Sequence, residues 1–277
     1  MTVPDGLLIG VGDGFSIAEV RCPGSLGGFG TPEVECGHVL VAARRGVFIR
    51  RVRGREVFMD GTVAYLSAPG TLEEFAHPVA GGDACIVISF VPELIAALSG
   101  GDPGLCHPAL PMDAASELAW RRMIRLARLG DPDGGLAERA IRLTSGMLAR
   151  GFPERAQSGR PPTLAARRRL VDQAKAALAA DPRLGLIALS RAVGCSPHHL
   201  SRIFGRLSEC TISHYRNRLR VRLALDRIAE GDSDLAGLAH DLGFSDHAHL
   251  TRTIRAATGH TPSACRALLT GPARGRR

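Results

Sequence analysis

At 277 residues, 45% hydrophobic and 22% charged, the chain is long enough for two domains with cores of their own and too apolar to be a disordered one. No apolar run approaches the ~18 residues of a membrane span, and no basic flank precedes an apolar stretch at the N-terminus, so a cytoplasmic protein without a membrane partner is expected. The net charge of +8 is shared unevenly: residues 1–160 hold 16 Lys/Arg against 18 Asp/Glu, residues 161–277 hold 19 against 9, and such a split suggests a polyanion-binding module joined to something else.

Short β-like runs come first, at Phe15–Arg21, His38–Ala43, Gly46–Arg53, Thr62–Ser67, Glu74–His77 and Ala84–Phe90. Turns such as Gly27-Gly28, Pro69-Gly70 and Gly81-Gly82-Asp83 separate them. Many short strands at close spacing predict a sandwich or small barrel over residues 1–110. Helical patterns follow at Pro92–Leu98, Asp113–Leu129 and Gly135–Arg150, the last two forming a helical extension over 111–152. The apolar stripe Trp120, Met123, Ile124 and Ala127 suits either a homodimer or packing on the strands. Pro153, Ser158, Gly159, Pro161 and Pro162 mark a linker at 153–163.

Little in this half suggests chemistry. Cys36 and His38 would project from one face of a strand, as a metal site wants, with His77, Cys85, Cys106 and His107 elsewhere. Packing, or a hydrogen-bonded histidine, is the expected role of these residues, and no metal or other cofactor is assigned. Seven cysteines without a framework spacing read as reduced thiols. Neither paired carboxylates nor a Ser/His/Asp order stands out, and Gly10–Gly14 lacks the lysine of a phosphate loop. No enzyme is expected.

The basic half repeats itself. Gly194 and Ser196 recur 49 positions later as Gly243 and Ser245, while Leu200, Arg202, Thr211 and Arg216 recur 50 positions later as Leu250, Arg252, Thr261 and Arg266. In the first copy an apolar helix (Leu186, Leu189, Ala192, Val193) ends at Gly194, where a positive φ permits a sharp turn. Ser196 then suits an N-cap and Pro197 the first helical position. Leu200, Ile203, Phe204 and Leu207 face inward, leaving His198, Ser201, Arg202 and Arg206 outside. In the second copy Leu238 and Leu242 lead to Gly243, Ser245 is the expected N-cap, and Leu250 and Ile254 face inward. A short helix, a tight turn and a second helix with a cationic outer face is the layout that reads a major groove.

Residues of roughly 165–270 resemble the DNA-binding domain of the AraC/XylS family of bacterial transcription regulators. The resemblance is carried by Leu186 to Ser190, Leu200 to Phe204, Tyr215-Arg216, Arg220 to Ala224, Leu235 to Ala239, Gly243-Phe244-Ser245-Asp246, Leu250-Thr251-Arg252 and Gly259-His260-Thr261-Pro262-Ser263. It implies two helix-turn-helix subdomains over 164–270, joined by a central helix at Ile212–Ala229, and a disordered basic tail at 271–277. Recognition helices near 197–208 and 246–257 would enter successive major grooves. By position, the base-facing candidates are His198, Ser201, Arg202, His247, Ala248, His249, Thr251 and Arg252. Arg206 and Arg255, with Arg216 and Arg218, are assigned to phosphates or internal partners. Leu250, Ile254 and Cys265 replace the family's usual aromatics, which implies a looser second subdomain, and the first copy lacks the glycine expected near Glu209-Cys210.

The family places a cupin-like β-barrel ahead of this module, so the expected fold is α+β: an N-terminal cupin-like sensing or dimerising β-domain with following helices, then an all-α DNA-binding domain. The His-x-His, Glu and later His of metal-binding cupins are absent. The resemblance implies a sequence-specific transcription regulator that binds double-stranded DNA, recruits RNA polymerase as an activator, and answers to a small-molecule effector. Two alternatives stay open: a cupin-type metal-dependent enzyme with a DNA-binding appendage, and an architectural DNA-binding protein without a ligand.

Overall fold

The computed structural model describes residues 6–24, 26–99, 102, 104–131, 135–151 and 161–270. Two compact units emerge, residues 1–152 with 263–277, and residues 153–262. The sequence reading assigned 263–270 to the C-terminal domain, so this division differs from it.

The first unit contains β1 (Gly6–Gly12), β2 (Phe15–Cys22), β3 (Glu33–Val34), β4 (His38–Arg45), β5 (Phe48–Val52), β6 (Arg55–Met59), β7 (Val63–Ser67), β8 (Leu72–Ala76) and β9 (Asp83–Phe90). Then come α1 (Pro92–Leu98), β10 (His107–Pro111), α2 (Ala114–Arg128) and α3 (Leu136–Ala149). The strands form a six-stranded sheet, β1-β2-β9-β4-β7-β10, and a four-stranded sheet, β3-β8-β5-β6. The pairs within both sheets are antiparallel, giving a double-sheet domain.

The inner strands β2, β9, β4 and β7 of the large sheet are buried on both faces, which explains their near-continuous apolar runs. In β4, Val39, Val41 and Ala43 join Tyr65, Cys85 and Val87 against Phe48 and Met59 of the small sheet. The intervening Leu40 and Ala42 join Ile17, Ile86, Ile88 and Leu66 in a second core with α2 and α3. Trp120, Met123, Ile124 and Ala127 all lie in that second core, so the stripe on α2 is used within the unit. Asp113 caps α2, accepting from the Ser116 N–H at 2.7 Å.

Four strands escape the sequence pattern. Strand β1 carries three glycines, and a Cβ at Gly10 would lie 2.7 Å from that of Ala127, so α2 packs close only because none is there. The run expected at Gly46–Arg53 is instead a hairpin of β5 and β6, turned at Arg53 and Gly54, both with positive φ. Strand β3 has two residues, and β10 holds two prolines at the sheet edge.

A buried ion pair ties the sheets together. Arg50 of β5, 1% exposed, donates through Nε and Nη2 to Glu73 of β8 at 3.1 and 2.7 Å. From β7 of the other sheet, Ser67 Oγ donates to the same carboxylate, and the Tyr65 ring lies 4.0 Å from the guanidinium. Removing one partner of such a pair strands a buried charge. Glu73→Ala is expected to destabilise the protein by about 3–5 kcal/mol in denaturant titrations, and more than the paired change Arg50→Met/Glu73→Leu.

The second unit is helical: α4 (Pro161–Ala180), α5 (Leu186–Ala192), α6 (Pro197–Ser208), α7 (Ile212–Ala229), α8 (Leu235–Asp241) and α9 (His247–Thr258). Helix α10 (Pro262–Thr270) begins at its last residue. Helix α4 starts inside the stretch expected as linker; residues 153–160 of that stretch, and the tail at 271–277, lie outside the described residues. Val171, Ala174 and Leu178 of α4 pack with Leu189, Val193, Leu200, Ile203, Phe204, Ile212, Tyr215 and Leu219, so α4 completes the core of the first copy. Phe204 and Tyr215 meet edge-on at 5.4 Å. Their equivalents 50 positions on, Ile254 and Cys265, are fully buried.

Where the first copy lacks a glycine, Glu209 itself takes the left-handed conformation, φ 53°, matched by Gly259 at φ 76° in the second. A side chain there costs on the order of 1 kcal/mol of strain. Glu209→Gly is therefore expected to stabilise the protein by roughly that amount, seen as a raised thermal midpoint.

Candidate nucleic-acid interface

Both copies build their turn with the same hydrogen bonds. The Cys195 N–H donates to Ser190 O at 3.0 Å and the Phe244 N–H to Ala239 O at 2.9 Å, each spanning a glycine of positive φ, Gly194 at 70° and Gly243 at 73°. This closes the first helix of each pair and redirects the chain into α6 or α9.

The caps correct one expectation. Ser196 accepts the His199 N–H at 3.2 Å, but in the second copy Asp246, not Ser245, is the cap, accepting the His249 N–H at 2.6 Å. The one-residue insertion between the copies explains it. The turns correspond at an offset of 49 and the helices at 50, so Ser245 is the inserted residue and Asp246 the counterpart of Ser196. The His249 N–H holds the Asp246 carboxyl below the usual carboxylate range. A lowered acid pKa contributes stability above the unfolded value and loses it as pH falls through the folded one. Asp246→Ala is thus expected to lower the thermal midpoint more than Ser245→Ala, and the gap to wild type should close on acidification below the carboxylate range.

The outer faces carry the predicted residues. On α6, His198, Ser201, Arg202 and Arg206 are exposed opposite buried Leu200, Ile203 and Phe204. On α9, His247, Ala248, Arg252 and Arg255 are exposed opposite Leu250 and Ile254, with Thr251 half-buried. Thr251 Oγ1 lies 3.4 Å from His247 Nε2. His249 is half-buried too: its ring meets Phe244 edge-on at 5.3 Å and its Nδ1 lies 3.1 Å from Ser245 Oγ. Only its Nε2 edge remains for a ligand.

The arginines divide into two sets. Those of α7 are committed internally: Arg216 Nη1 donates to Leu184 O at 3.0 Å, Arg220 Nε to Pro182 O at 2.9 Å, and Arg227 pairs with Asp232 and Asp241 at 2.5 and 3.3 Å. Burial, with Arg216 nearby, lowers the pKa of Arg220. By contrast Arg202, Arg206, Arg252 and Arg255 enter no ion pair among the described residues. Exposed guanidinium groups outside ion pairs on two equivalent faces are what a phosphate-lined groove would meet.

Sequence reasoning missed the contact that joins the copies. Arg220 lies 5.6 Å from the Phe244 ring, and a Cβ on Gly243 would sit 2.9 Å from both Arg220 Nη2 and Arg183 Cγ. In sequence Arg220 is one more cation of a basic helix, and nothing there marks it as buried.

A family model described as a helix-turn-helix domain matches residues 189–267. Residues 189–267 thus carry a helix-turn-helix domain. Among solved structures, ToxT from Vibrio cholerae O395 is similar at 9% identity over 94% of this chain and 100% of that one, with a TM-score of 0.38. An AraC-type regulator from Chromobacterium violaceum shares 24% identity over 39% of this chain and 98% of that one, TM-score 0.36. A cupin-2 domain protein from Shewanella frigidimarina shares 9% identity over 31% of this chain and 80% of that one, TM-score 0.27. No curated protein matches the chain. No helix among the described residues is long and apolar enough to cross a membrane.

Proposed function

We propose that the AraC-type domain reads two successive major grooves, inserting α6 and α9 one helical turn apart, and that the protein is a cytoplasmic, sequence-specific activator recruiting RNA polymerase. The observation that carries this reading is the paired presentation of Arg202 and Arg252, exposed at equivalent positions of two equally built helices and in no ion pair among the described residues. Each suits a forked contact to guanine O6 and N7. His198, His247 and the free edge of His249 are donors toward purine acceptors, Ser201 and Thr251 reach either acceptor or donor groups, and Ala248 fits a thymine methyl. Arg206 and Arg255, farther along each helix, serve phosphates. The sheet domain, a separate unit with a core of its own, is the element that an effector or a second copy would act upon, shifting how the two readers are held.

The test is footprinting on genomic fragments at fixed salt, with wild type, Arg202→Ala and Arg252→Ala. Wild type should protect discrete sites about two helical turns long. Each substitution should weaken specific binding by about 1–3 kcal/mol, roughly five- to 150-fold, and lose protection over one turn. Weak, uniform binding by all three proteins would reject base reading by these arginines in favour of an architectural role.

A further inference from the structure

Three segments of the N-terminal unit converge at one end of its two sheets. Cys22 ends β2 and stands opposite Asp83, the first residue of β9, in the large sheet, whereas His77 follows β8 of the small one. One Cys Sγ, one imidazole nitrogen and one carboxylate oxygen from these residues all lie within 4.8 Å of one another, and no other group of this kind occurs among the described residues. His77 Nε2 lies 2.7 Å from Asp83 Oδ2, while the second carboxylate oxygen, Oδ1, accepts from the Cys85 thiol at 3.0 Å. Cys85 thereby orients the carboxylate and leaves Oδ2 directed at the cluster.

The backbone around the cluster has no room for side chains. A Cβ at Gly24 would lie 2.7 Å from His77 Cγ, one at Gly82 2.0 Å from Cys22 O, and one at Gly46 2.2 Å from Gly82 O. The convergence thus depends on bare backbone in three separate loops. His77 is buried and its ring is flanked by Phe48 at 6.4 Å, whereas Cys22 is exposed and opens the cluster to solvent.

The geometry points to a divalent transition-metal site, of a chemistry suited to zinc, formed by Cys22 Sγ, His77 Nε2 and Asp83 Oδ2. Thiolate, imidazole and carboxylate are zinc's protein donors, and three of them leave a fourth position for water on the exposed side. A thiolate and a carboxylate together balance the charge of a divalent ion. Tetrahedral bonds of about 2.0–2.3 Å set donor atoms roughly 3.3–3.7 Å apart, so small shifts at Cys22 and between His77 and Asp83 complete the site. On binding, the Cys22 thiol releases its proton to solvent, and His77 ligates as the neutral ring with its proton on Nδ1. The ion would join the end of the β2–β9 pair in one sheet to the end of β8 in the other. The site shares no residue with the Cys36–His38 pair, where the Cys36 thiol donates to Val34 O at 3.5 Å. It also stands independently of the DNA-reading helices.

The experiment uses the full chain, reduced, stripped with chelator and titrated with Co²⁺ and Zn²⁺, alongside Cys22→Ser and the control Cys36→Ser. Both substitutions fall on exposed residues, and far-UV circular dichroism verifies that the variants fold. One equivalent of Co²⁺ should bind wild type and Cys36→Ser with a thiolate-to-cobalt charge-transfer band that Zn²⁺ abolishes. Cys22→Ser should lose the band, and Asp83→Asn should weaken binding at least about tenfold. Absence of a saturable band in wild type, or an undiminished band in Cys22→Ser, overturns the assignment.

Discussion

The Arg220 guanidinium sits where the two helix-turn-helix copies meet. Its Nε is bonded to Pro182 O, in the loop that leads into the first copy, and it lies near the Phe244 ring, in the turn of the second. A charged donor bonded to a carbonyl contributes about 1.5–3 kcal/mol, and a partly buried cation left without such a bond would be strongly disfavoured. Helix α7 is therefore a spacer with a lock on it, more than a passive rod. Helix α7 also packs against both recognition helices, and this contact adds to that packing in holding the two copies. The division among the arginines follows from the same logic: cations that hold the domain together cannot also neutralise a phosphate.

How much of this was legible in the sequence depended on whether the signal was local. The recognition helices announced themselves because a glycine, a capping residue and a 3.6-residue apolar rhythm fall within a dozen positions, twice. The expected ranges of α6 and α7 coincide with the observed ones, Pro197–Ser208 and Ile212–Ala229. The cap of α9 was misread because Ser245 copies Ser196 in identity, yet the insertion moves the capping position onto Asp246. Replacing large aromatics by Ile254 and Cys265 suggested a loose second subdomain, but both are buried, and Phe244 with His249 and Arg220 supplies aromatic packing from the turn instead.

The sheet domain was legible in class and less so in detail. Strands buried on two faces, such as β4 and β9, read clearly as apolar runs. Strand β1, rich in glycine, and β6, hidden behind an arginine-bearing turn, are defined by pairing with distant partners that no window of sequence contains. For the same reason the Cys22–His77–Asp83 cluster was invisible. Its residues lie 55 and 6 positions apart and meet only through sheet register and three crowded glycines. Cys-x-His at 36 and 38 drew attention because it was close in sequence, yet its cysteine turns to the local backbone.

The two turn glycines have the same conformation but different surroundings. A Cβ on Gly194 would meet nothing within 4 Å, whereas one on Gly243 would strike Arg220 and Arg183. Asparagine, which enters left-handed backbone more readily than other side-chain-bearing residues, therefore finds open space at 194 but must displace arginine side chains at 243. The duplicated motif is thus asymmetric in its freedom to vary. Sequence drift costs less in the first turn, while in the second it also disturbs a neighbour belonging to the helix between them.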